Sequence, residues 1–180
     1  MQPTDVYGVN KVAAEGYEPL LGGLKPLFEA ADLSFVNLEG PIAPGVARDG
    51  TRSMIKGKPA GFPRFNFPAS LASALKEVGV DAVQTANNHV LDRGWRGIDA
   101  TLEHVEAAGL VPVGTRRAGE RGQFRKILQA GPLRVALLSC TFWANGKKDQ
   151  RAQVQFCNWR AKRKLIAEVR AAREEADAVI

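Results

Sequence analysis

Residues 80–95 read VDAVQTANNHVLDRGW, a short apolar run that ends in a cluster of polar side chains. Ahead of this stretch, Leu71, Leu75 and Val78 recur at helical spacing, which predicts a helix with Ser70 as its candidate cap. The helix leads into VDAVQT, which has the length and composition of a buried strand. The stretch therefore predicts a helix-then-strand unit whose strand is followed by amide, imidazole, carboxylate and guanidinium side chains.

Two further units of the same kind flank this one. Upstream, apolar residues at helical spacing between Leu24 and Ala31 precede the strand LSFVNL. Downstream, a helix is predicted from Trp95 to Ala108, with Gly109 as its terminator and LVPVG as the next strand. Alternating helices and short apolar strands imply a mainly parallel sheet covered by helices. The sequence thus predicts an α/β fold, with residues 1–180 forming one domain.

The remaining segments predict a hairpin, a long loop and a basic helix. QFRKILQAGPLRVALLSCTF, residues 123–142, is typical of two strands around the turn AGPL, placed in the sheet or at its edge. Residues 41–68 are rich in Gly, Pro, Arg and Lys, and a connection of that length is usually either functional or disordered. From Ala161 to Ala176 an apolar stripe follows one side of a basic helix.

Both ends of the chain resemble interrupted units. ADAVI, residues 176–180, repeats the Asp-then-apolar pattern that opens the first two strands, and the chain stops before a polar cluster follows. No strand is predicted ahead of the first helix. We therefore expect a partial domain that lacks its amino-terminal strand and its carboxyl-terminal half.

The composition narrows the function classes. With 25 Lys and Arg against 19 Asp and Glu, the net charge is +6, but the basic residues are scattered as on a solubilising surface. No recognised nucleic-acid motif accompanies them, so nucleic acid is not an expected partner. The longest apolar run, VALLSC, is too short to span a membrane, and no secretory signal is visible. The chain as it stands is predicted to be cytoplasmic.

The two cysteines fit neither a disulfide framework nor a metal site. Cys140 lies in an apolar run and Cys157 in a polar segment, without CxxC spacing. We predict that both are free thiols.

Polar side chains follow the first two predicted strands. Asn37 and Glu39 end one, and Asn88 and His89 belong to the cluster that ends the other. Ligands of open α/β sheets collect at such carboxyl ends. Carboxylate and amide oxygens suit Mg²⁺ or Mn²⁺, whereas imidazole also suits Zn²⁺ or Fe²⁺ or serves as a proton donor.

Each of these side chains also has a structural explanation. Asn87 and Asn88 could turn the chain, and Asp92 with Gly94 fits a turn in which Asp92 caps the following helix. His89 could be a hydrogen-bonded structural histidine. Both sets of explanations stay open at the level of residue type and spacing.

Together these segments resemble a known family. ADLSFVNLEGPIA, followed by the stretch from Phe65 to Thr115 that contains ANNHVLDRG, is similar to the CapA proteins of capsule and poly-gamma-glutamate biosynthesis. The similarity runs from about Tyr17 to Ile180 and includes LRVALLSCTF and the NG of ANGKK. CapA proteins belong to the calcineurin-like metallophosphoesterase superfamily. The resemblance therefore implies a layered metallophosphoesterase-like sheet, here incomplete.

The resemblance also implies roles for individual residues. Glu39 matches a metal-bridging carboxylate, and Asn88 matches the amide ligand of the superfamily's GNH motif. His89 matches its phosphate-binding proton donor, and Asp92 would orient that loop. The complete family site would hold two divalent ions, whether Mn, Mg, Fe or Zn. Substrate contacts are expected from the polar neighbours of these residues: Asn37, Asn87 and Arg93.

Some family features are missing from this sequence. Members begin with a strand that ends in Gly-Asp, whereas Asp5 follows no strand. They continue into a strand bearing HWG and then a histidine-rich motif, and neither is present. Because a two-metal site needs many ligands, we predict that this chain alone is catalytically incomplete.

Two functions follow from the resemblance and the charge. The first is a CapA-like metal-dependent hydrolase component that acts on a phosphoester or anionic polymer, with other capsule-assembly proteins as partners and the cell envelope as its location at full length. The second is a non-catalytic polyanion-binding or scaffold component of capsule assembly. The second function would use the basic residues of the long loop: Arg48, Arg52, Lys56, Lys58 and Arg64.

Overall fold

The computed structural model describes residues 16–180, so Asp5 lies outside the described residues. The helices and strands, in chain order, are α1 (Glu18–Leu21), a 3₁₀ turn (Gly22–Leu24), α2 (Lys25–Glu29), β1 (Phe35–Asn37), α3 (Ser70–Glu77), β2 (Ala82–Gln84), α4 (Gly94–Ala107), β3 (Val111–Val113), β4 (Lys126–Ala130), β5 (Leu133–Leu137), α5 (Lys162–Glu175) and β6 (Ala178–Val179).

The predicted parallel sheet is confirmed for the three helix-then-strand units. Strands β1, β2 and β3 pair in that order, all parallel, with Val36 opposite Val83 and Val83 opposite Pro112. Each strand has three paired residues, so the strands are shorter than the apolar runs that predicted them. Their carboxyl ends lie at one edge of the sheet.

The helices cover one face of this sheet. Val83 is fully buried against Leu75 of α3 and Val105 of α4, in a cluster that also contains Leu38 and Leu110. Because successive strand residues point to opposite faces, Ala82 and Gln84 face the other way. Leu75 and Val78 of the pattern that predicted α3 are therefore core residues, and α4 contributes Val105 to the same cluster.

The hairpin forms a second sheet, which corrects its predicted place in the first. Strands β4 and β5 pair antiparallel, and β6 pairs parallel with β5, so the ADAVI segment does add a strand. Ala82 and Val113 of the first sheet pack against Val135 and Leu137 of the second in one buried cluster. The molecule is thus layered, with helices on one side of the parallel sheet and the second sheet on the other.

The last helix is tied to the molecule by an ion-pair cluster. Arg125, whose side chain is 2% exposed, binds Glu168 at 2.8 Å and also pairs with Glu175. The predicted apolar stripe is only partly buried, since Ala172 is fully covered whereas Val169 is 37% exposed. The ion pairs of Arg125 therefore hold α5 against the rest of the molecule together with the apolar side of the helix.

The long loop of residues 41–68 is folded around one buried side chain. Asn66 is 0% exposed and its amide oxygen accepts from Ala43 N at 2.9 Å. Its amide nitrogen donates to the carbonyl oxygens of Ala43, Gly57 and Lys58 at 3.1–3.2 Å. Three isolated bridges, including Ile42 with Phe67, further fix the path. The loop is therefore an ordered part of the fold, which agrees with a functional loop and not with a disordered one.

The helix ends correct two predicted caps. The residue before α3 is Ala69, which makes no side-chain cap hydrogen bond, so Ser70 begins the helix instead of capping it. The residue before α4 is Arg93, so Asp92 does not cap that helix either. Gly109 does terminate α4, with φ of 77° and its N–H bonded to Glu106 O at 2.9 Å.

The prediction of two free thiols is wrong. Cys140 and Cys157 form a disulfide, with their Cα atoms 5.6 Å apart. Thr141 N donates to Gln155 O at 3.0 Å, and Cys157 N donates to Thr141 O at 3.0 Å, so pairing of the two segments brings the cysteines together. The sequence did not reveal this because the pairing joins a strand exit to a segment without a regular pattern.

Candidate functional site

The site is assembled where β1 and β2 end, and Asn87 joins the two exits. Its amide nitrogen donates to Leu38 O at 2.7 Å and to Asn37 Oδ1 at 3.2 Å. Its amide oxygen accepts from His89 N at 3.0 Å, which makes the tight turn after β2. Asn87 is 7% exposed and fully engaged by these bonds. The structural explanation of Asn87 therefore holds, and a substrate contact by Asn87 stays a prediction.

Asn37 and Glu39 lie together on the β1 side of the site. The Asn37 amide donates to Glu39 Oε2, while its oxygen accepts from Asn87. Glu39 is half-buried and Asn37 is exposed. The chain turns sharply after Glu39, where a Cβ on Gly40 would lie 2.6 Å from Phe65 Cβ. The Glu39 carboxylate therefore stays partly exposed and bonded to Asn37 at the end of β1.

His89 and Asp92 form a buried pair. His89 Nδ1 lies 2.7 Å from Asp92 Oδ2, and the two residues are 8% and 1% exposed. The edge of the His89 ring meets Phe65, with ring centroids 4.5 Å apart at an interplanar angle of 77°. Asp92 accepts a hydrogen bond from Nδ1, so Nε2 is the nitrogen left to exchange a proton with a ligand. The two predicted catalytic residues are therefore in contact.

Two further partners hold the Asp92 carboxylate. Oδ2 also accepts from Phe65 N at 2.8 Å, and Oδ1 lies 3.3 Å from Lys147 Nζ. Lys147 donates in addition to Leu91 O at 2.8 Å. Burial lowers the pKa of the Lys147 ammonium, and the charge of Asp92 opposes that shift. A carboxylate held this way fixes the ring that it bonds.

Asn145 is a neighbour that the sequence did not predict. Its Oδ1 lies 3.4 Å from Asn88 Nδ2, and its own amide nitrogen lies 3.4 Å from His89 Nδ1. Asn145 has φ of 47°, in the left-handed region that Asn tolerates, and Gly146 follows it in a turn. The Asn-Gly pair signals a turn but not its position, because it lies 57 residues from Asn88 along the chain.

Asn88, His89, Asp92 and Asn145 line an open cleft, and Asn37, Glu39 and Asn87 are not part of its lining. Its volume is about 350 Å³, and Arg64 and Lys147 place positive charge beside His89. Phe62 and Pro63 of the long loop form an apolar side of the same cleft. A small anionic group fits this combination of charge and size.

The donors present fit a metal ion only in part. Asn88 uses its amide nitrogen on Asn145, which leaves Asn88 Oδ1 as the atom that could bind an ion, and Glu39 offers a carboxylate. Within residues 16–180, no group of three or more His, Cys, Asp and Glu is arranged to hold a metal. A two-ion centre therefore needs ligands beyond those that the described residues bring together.

Arg93 lies apart from this cleft. It is 1% exposed, and one of its guanidinium nitrogens donates to Arg64 O at 3.2 Å. The side chain lines a second cavity, together with Arg48, Lys56 and Lys58 of the long loop. Asp92 and Arg93 are adjacent in the sequence but line two different cavities.

The chain is similar to known proteins over most of its length. The family model described as bacterial capsule synthesis protein PGA_cap matches residues 4–180. Two uncharacterized proteins of Sinorhizobium fredii (strain NBRC 101917 / NGR234), y4sH and y4uA, are each 30% identical over 132 residues, which is 73% of this chain. This chain spans 28% of the length of each of those relatives.

A solved structure shows a weaker similarity. The crystal structure of a 5'-nucleotidase precursor from Thermus thermophilus aligns with 61% of this chain and 22% of its own, at 18% identity and a TM-score of 0.39. At a TM-score this low, the similarity carries no argument about this chain.

Proposed function

Since this chain belongs to the PGA_cap family of bacterial capsule synthesis proteins, we propose that its cleft is part of a metallophosphoesterase-type site that acts on an anionic substrate. The observation that carries the proposal is the buried His89–Asp92 pair, which lies beside Asn88 at the carboxyl ends of parallel strands. Ligand sites of α/β sheets are concentrated at that edge.

In this proposal His89 is the proton donor. Asp92 accepts the hydrogen bond of Nδ1, so it fixes the orientation of the ring. Nε2 can then give its proton to the oxygen of a leaving group. Phe65 packs against the ring and limits its rotation. Asp92 acts through His89 and is therefore a positioning residue.

Glu39 and Asn88 are the residues that would hold a divalent ion. When bound, such an ion would polarise an anionic oxygen and neutralise its charge. Asn37 would position Glu39 through their mutual hydrogen bond. Residues 16–180 supply two such donors, and a two-ion site requires further ligands.

The proposed substrate is a phosphoester or an anionic polymer. Arg64 and Lys147 provide the charge that would attract it to the cleft. This positive charge supports an anionic substrate. Other capsule-assembly proteins are proposed as partners because of the family to which the chain belongs.

The proposed location is the cell envelope. The Cys140–Cys157 disulfide supports this location, because disulfides persist in oxidising compartments and are rare in the cytosol. Among the described residues, none of the helices is both long and apolar enough to cross a bilayer.

Metal binding tests the first half of the proposal. Titration of Mn²⁺ into the chain, followed by electron paramagnetic resonance, should show an ion whose Kd rises at least about tenfold in Glu39→Gln and in Asn88→Ala, since loss of a hard oxygen ligand weakens such a site. Glu103→Gln on the exposed side of α4 is the matched control and should leave Kd unchanged. Equal Mn²⁺ binding by all variants would exclude Glu39 and Asn88 as ligands.

Turnover tests the second half. We expect the chain alone to hydrolyse an aryl phosphate with Mn²⁺ no faster than His89→Ala does. If the chain alone turns over the substrate and His89→Ala abolishes that turnover, His89 is supported as the proton donor. The same result would overturn the prediction that this chain alone is catalytically incomplete. If turnover in a longer family protein survives the matching histidine change, the proton-donor role is wrong.

The second candidate function is non-catalytic polyanion binding by the long loop. Its basic side chains Arg48, Lys56 and Lys58 are exposed around a cavity, and the loop that carries them is ordered. This function predicts metal-independent, salt-sensitive binding that survives His89→Ala.

A further inference from the structure

We propose that Arg93 is the buried anchor of a separate oxyanion-binding site, which takes a carboxylate or phosphate group. The site, called here the Arg93 cavity, is bounded by Arg93, Arg48, Lys56 and Lys58. The proposal deepens the polyanion-binding function, because it names Arg93 as the residue that binds a carboxylate or phosphate group. It does not depend on the His89 cleft.

The first argument is the state of the Arg93 guanidinium. Its Nε and Nη1 are buried, and neither has a hydrogen-bond partner among residues 16–180. Its only hydrogen bond in that part of the chain goes to the Arg64 carbonyl, and no carboxylate there lies within ion-pair distance. Buried polar groups are nearly always partnered, and a buried unpaired charge is costly. The missing partner is therefore expected to be an anion.

The neighbouring charges add to the demand for an anion. Burial and then the charge of Arg48 lower the pKa of the Arg93 guanidinium, while Asp92 opposes them. Asp92 is already bonded to His89, Phe65 N and Lys147 in the other cleft. Its charge is thus shared with three donors outside the Arg93 cavity.

The rim of the Arg93 cavity is positive. Arg48, Lys56 and Lys58 surround it against one carboxylate, that of Asp49. Asp49 Oδ1 accepts from Thr51 N at 2.9 Å and from Thr51 Oγ1 at 2.6 Å, so this carboxylate is already held by its own turn. Four cations around a concave surface create a site for negative charge.

The cavity is fixed by the fold before any ligand binds. Asn66 holds the carbonyl oxygens of Gly57 and Lys58, and these bonds set the path of the basic segment. Gly97 makes room for Arg93, since a Cβ there would lie 2.3 Å from Arg93 Cβ. The volume of about 450 Å³ falls in the range of small-ligand sites.

Calorimetric titration with two probes tests the site. At constant ionic strength in NaCl, inorganic phosphate and acetate are titrated into the oxidised chain. We expect phosphate binding whose Kd rises at least about threefold in Arg48→Ala and in Lys58→Ala, the two variants that remove charge from the rim of the Arg93 cavity. Acetate that competes with phosphate assigns the site to oxyanions in general, whereas binding of one probe alone assigns it to that group.

Three controls separate this site from the other cleft. Arg163→Ala removes an exposed cation of α5 that does not line the Arg93 cavity, so it should leave Kd unchanged. His89→Ala weakens any phosphate binding in the other cleft, so the phosphate that this variant still binds reports the Arg93 cavity, and a failure of the proposed hydrolase function does not affect this test. Arg93→Met keeps the volume and should abolish the phosphate-induced rise in Tm.

Two results would refute the Arg93 cavity as an oxyanion-binding site. Absence of phosphate and acetate binding would refute the site. Binding that falls in Lys147→Ala or His89→Ala but not in Arg48→Ala or Lys58→Ala would place the anion in the His89 cleft instead. Should Arg93→Met fail to fold, the two rim variants still decide the matter.

Discussion

Asn66 shows how one amide can organise a loop of charged and flexible residues. Four hydrogen bonds join it to the backbone of residues 43, 57 and 58, and all are made without exposure to water. These bonds hold the backbone of a loop whose exposed cations Arg48, Lys56 and Lys58 repel one another.

Asn66→Ala should lower the free energy of unfolding by about 2–4 kcal/mol, because Ala43 N and Lys58 O lose their partners inside the protein. The loop should also be cut faster by trypsin at Arg52 and Lys56, which are exposed. Urea unfolding and limited proteolysis measure the two effects.

Asn158→Ala is the control for this prediction. Its amide oxygen accepts from Arg160 N and Ala161 N ahead of α5, so its loss should cost about 1 kcal/mol and leave cleavage of the long loop unchanged. Equal cleavage of Asn66→Ala and the unaltered chain would show that the loop is held by other contacts.

At the scale of elements, helix α4 is shaped by the residue it must accommodate. Gly97 lies one turn after Arg93, and its missing side chain allows the Arg93 side chain to cross the helix start. The Gly97 carbonyl also accepts from Thr101 Oγ1 at 2.7 Å, and the same hydroxyl receives Ile42 N at 3.0 Å. The helix, the loop and Arg93 are therefore packed as one unit.

Gly97→Ala should destabilise the protein by about 1–3 kcal/mol, because the new Cβ would overlap Arg93 Cβ, which cannot swing away as a side-chain end can. The helix-propensity gain of up to about 1 kcal/mol acts in the opposite direction and should not offset the clash.

Thermal and urea unfolding measure the difference, with Gly23→Ala as the control. A Cβ at Gly23 meets nothing within 4 Å, so that change should stay within about 0.5 kcal/mol. A Gly97→Ala protein as stable as the unaltered chain would mean that Arg93 has an alternative path.

For the whole molecule, the disulfide is the covalent link between distant parts of the fold. Cys140 follows β5 of the second sheet, and Cys157 precedes the segment that leads into α5. The two cysteines are 17 residues apart along the chain.

Reduction should lower the free energy of unfolding by about 3 kcal/mol, the chain-entropy value for a loop of this length. The double variant Cys140→Ser/Cys157→Ser should unfold at the same urea concentration with and without reductant. Thiol titration in urea without reductant should find no free thiol, whereas two reactive thiols would contradict the disulfide.

Some of this molecule could be predicted from local patterns. The three helix-then-strand units, the hairpin turn and the end of α4 at Gly109 follow from apolar periodicity and glycine placement, which depend on nearby residues. The pairing of His89 with Asp92 also lies within one turn of the chain, so the motif itself brings the two groups together.

What the sequence by itself determined, then, is the α/β class, the strand exits and the identity of the residues at those exits. Only the tertiary structure decided that the hairpin forms a second sheet, that Asn145 and Lys147 join His89, that Cys140 meets Cys157, and that Arg93 turns away from Asp92 into a cavity of its own. The physical reason is that periodicity records which face of an element is buried, whereas these contacts depend on which distant segment covers that face.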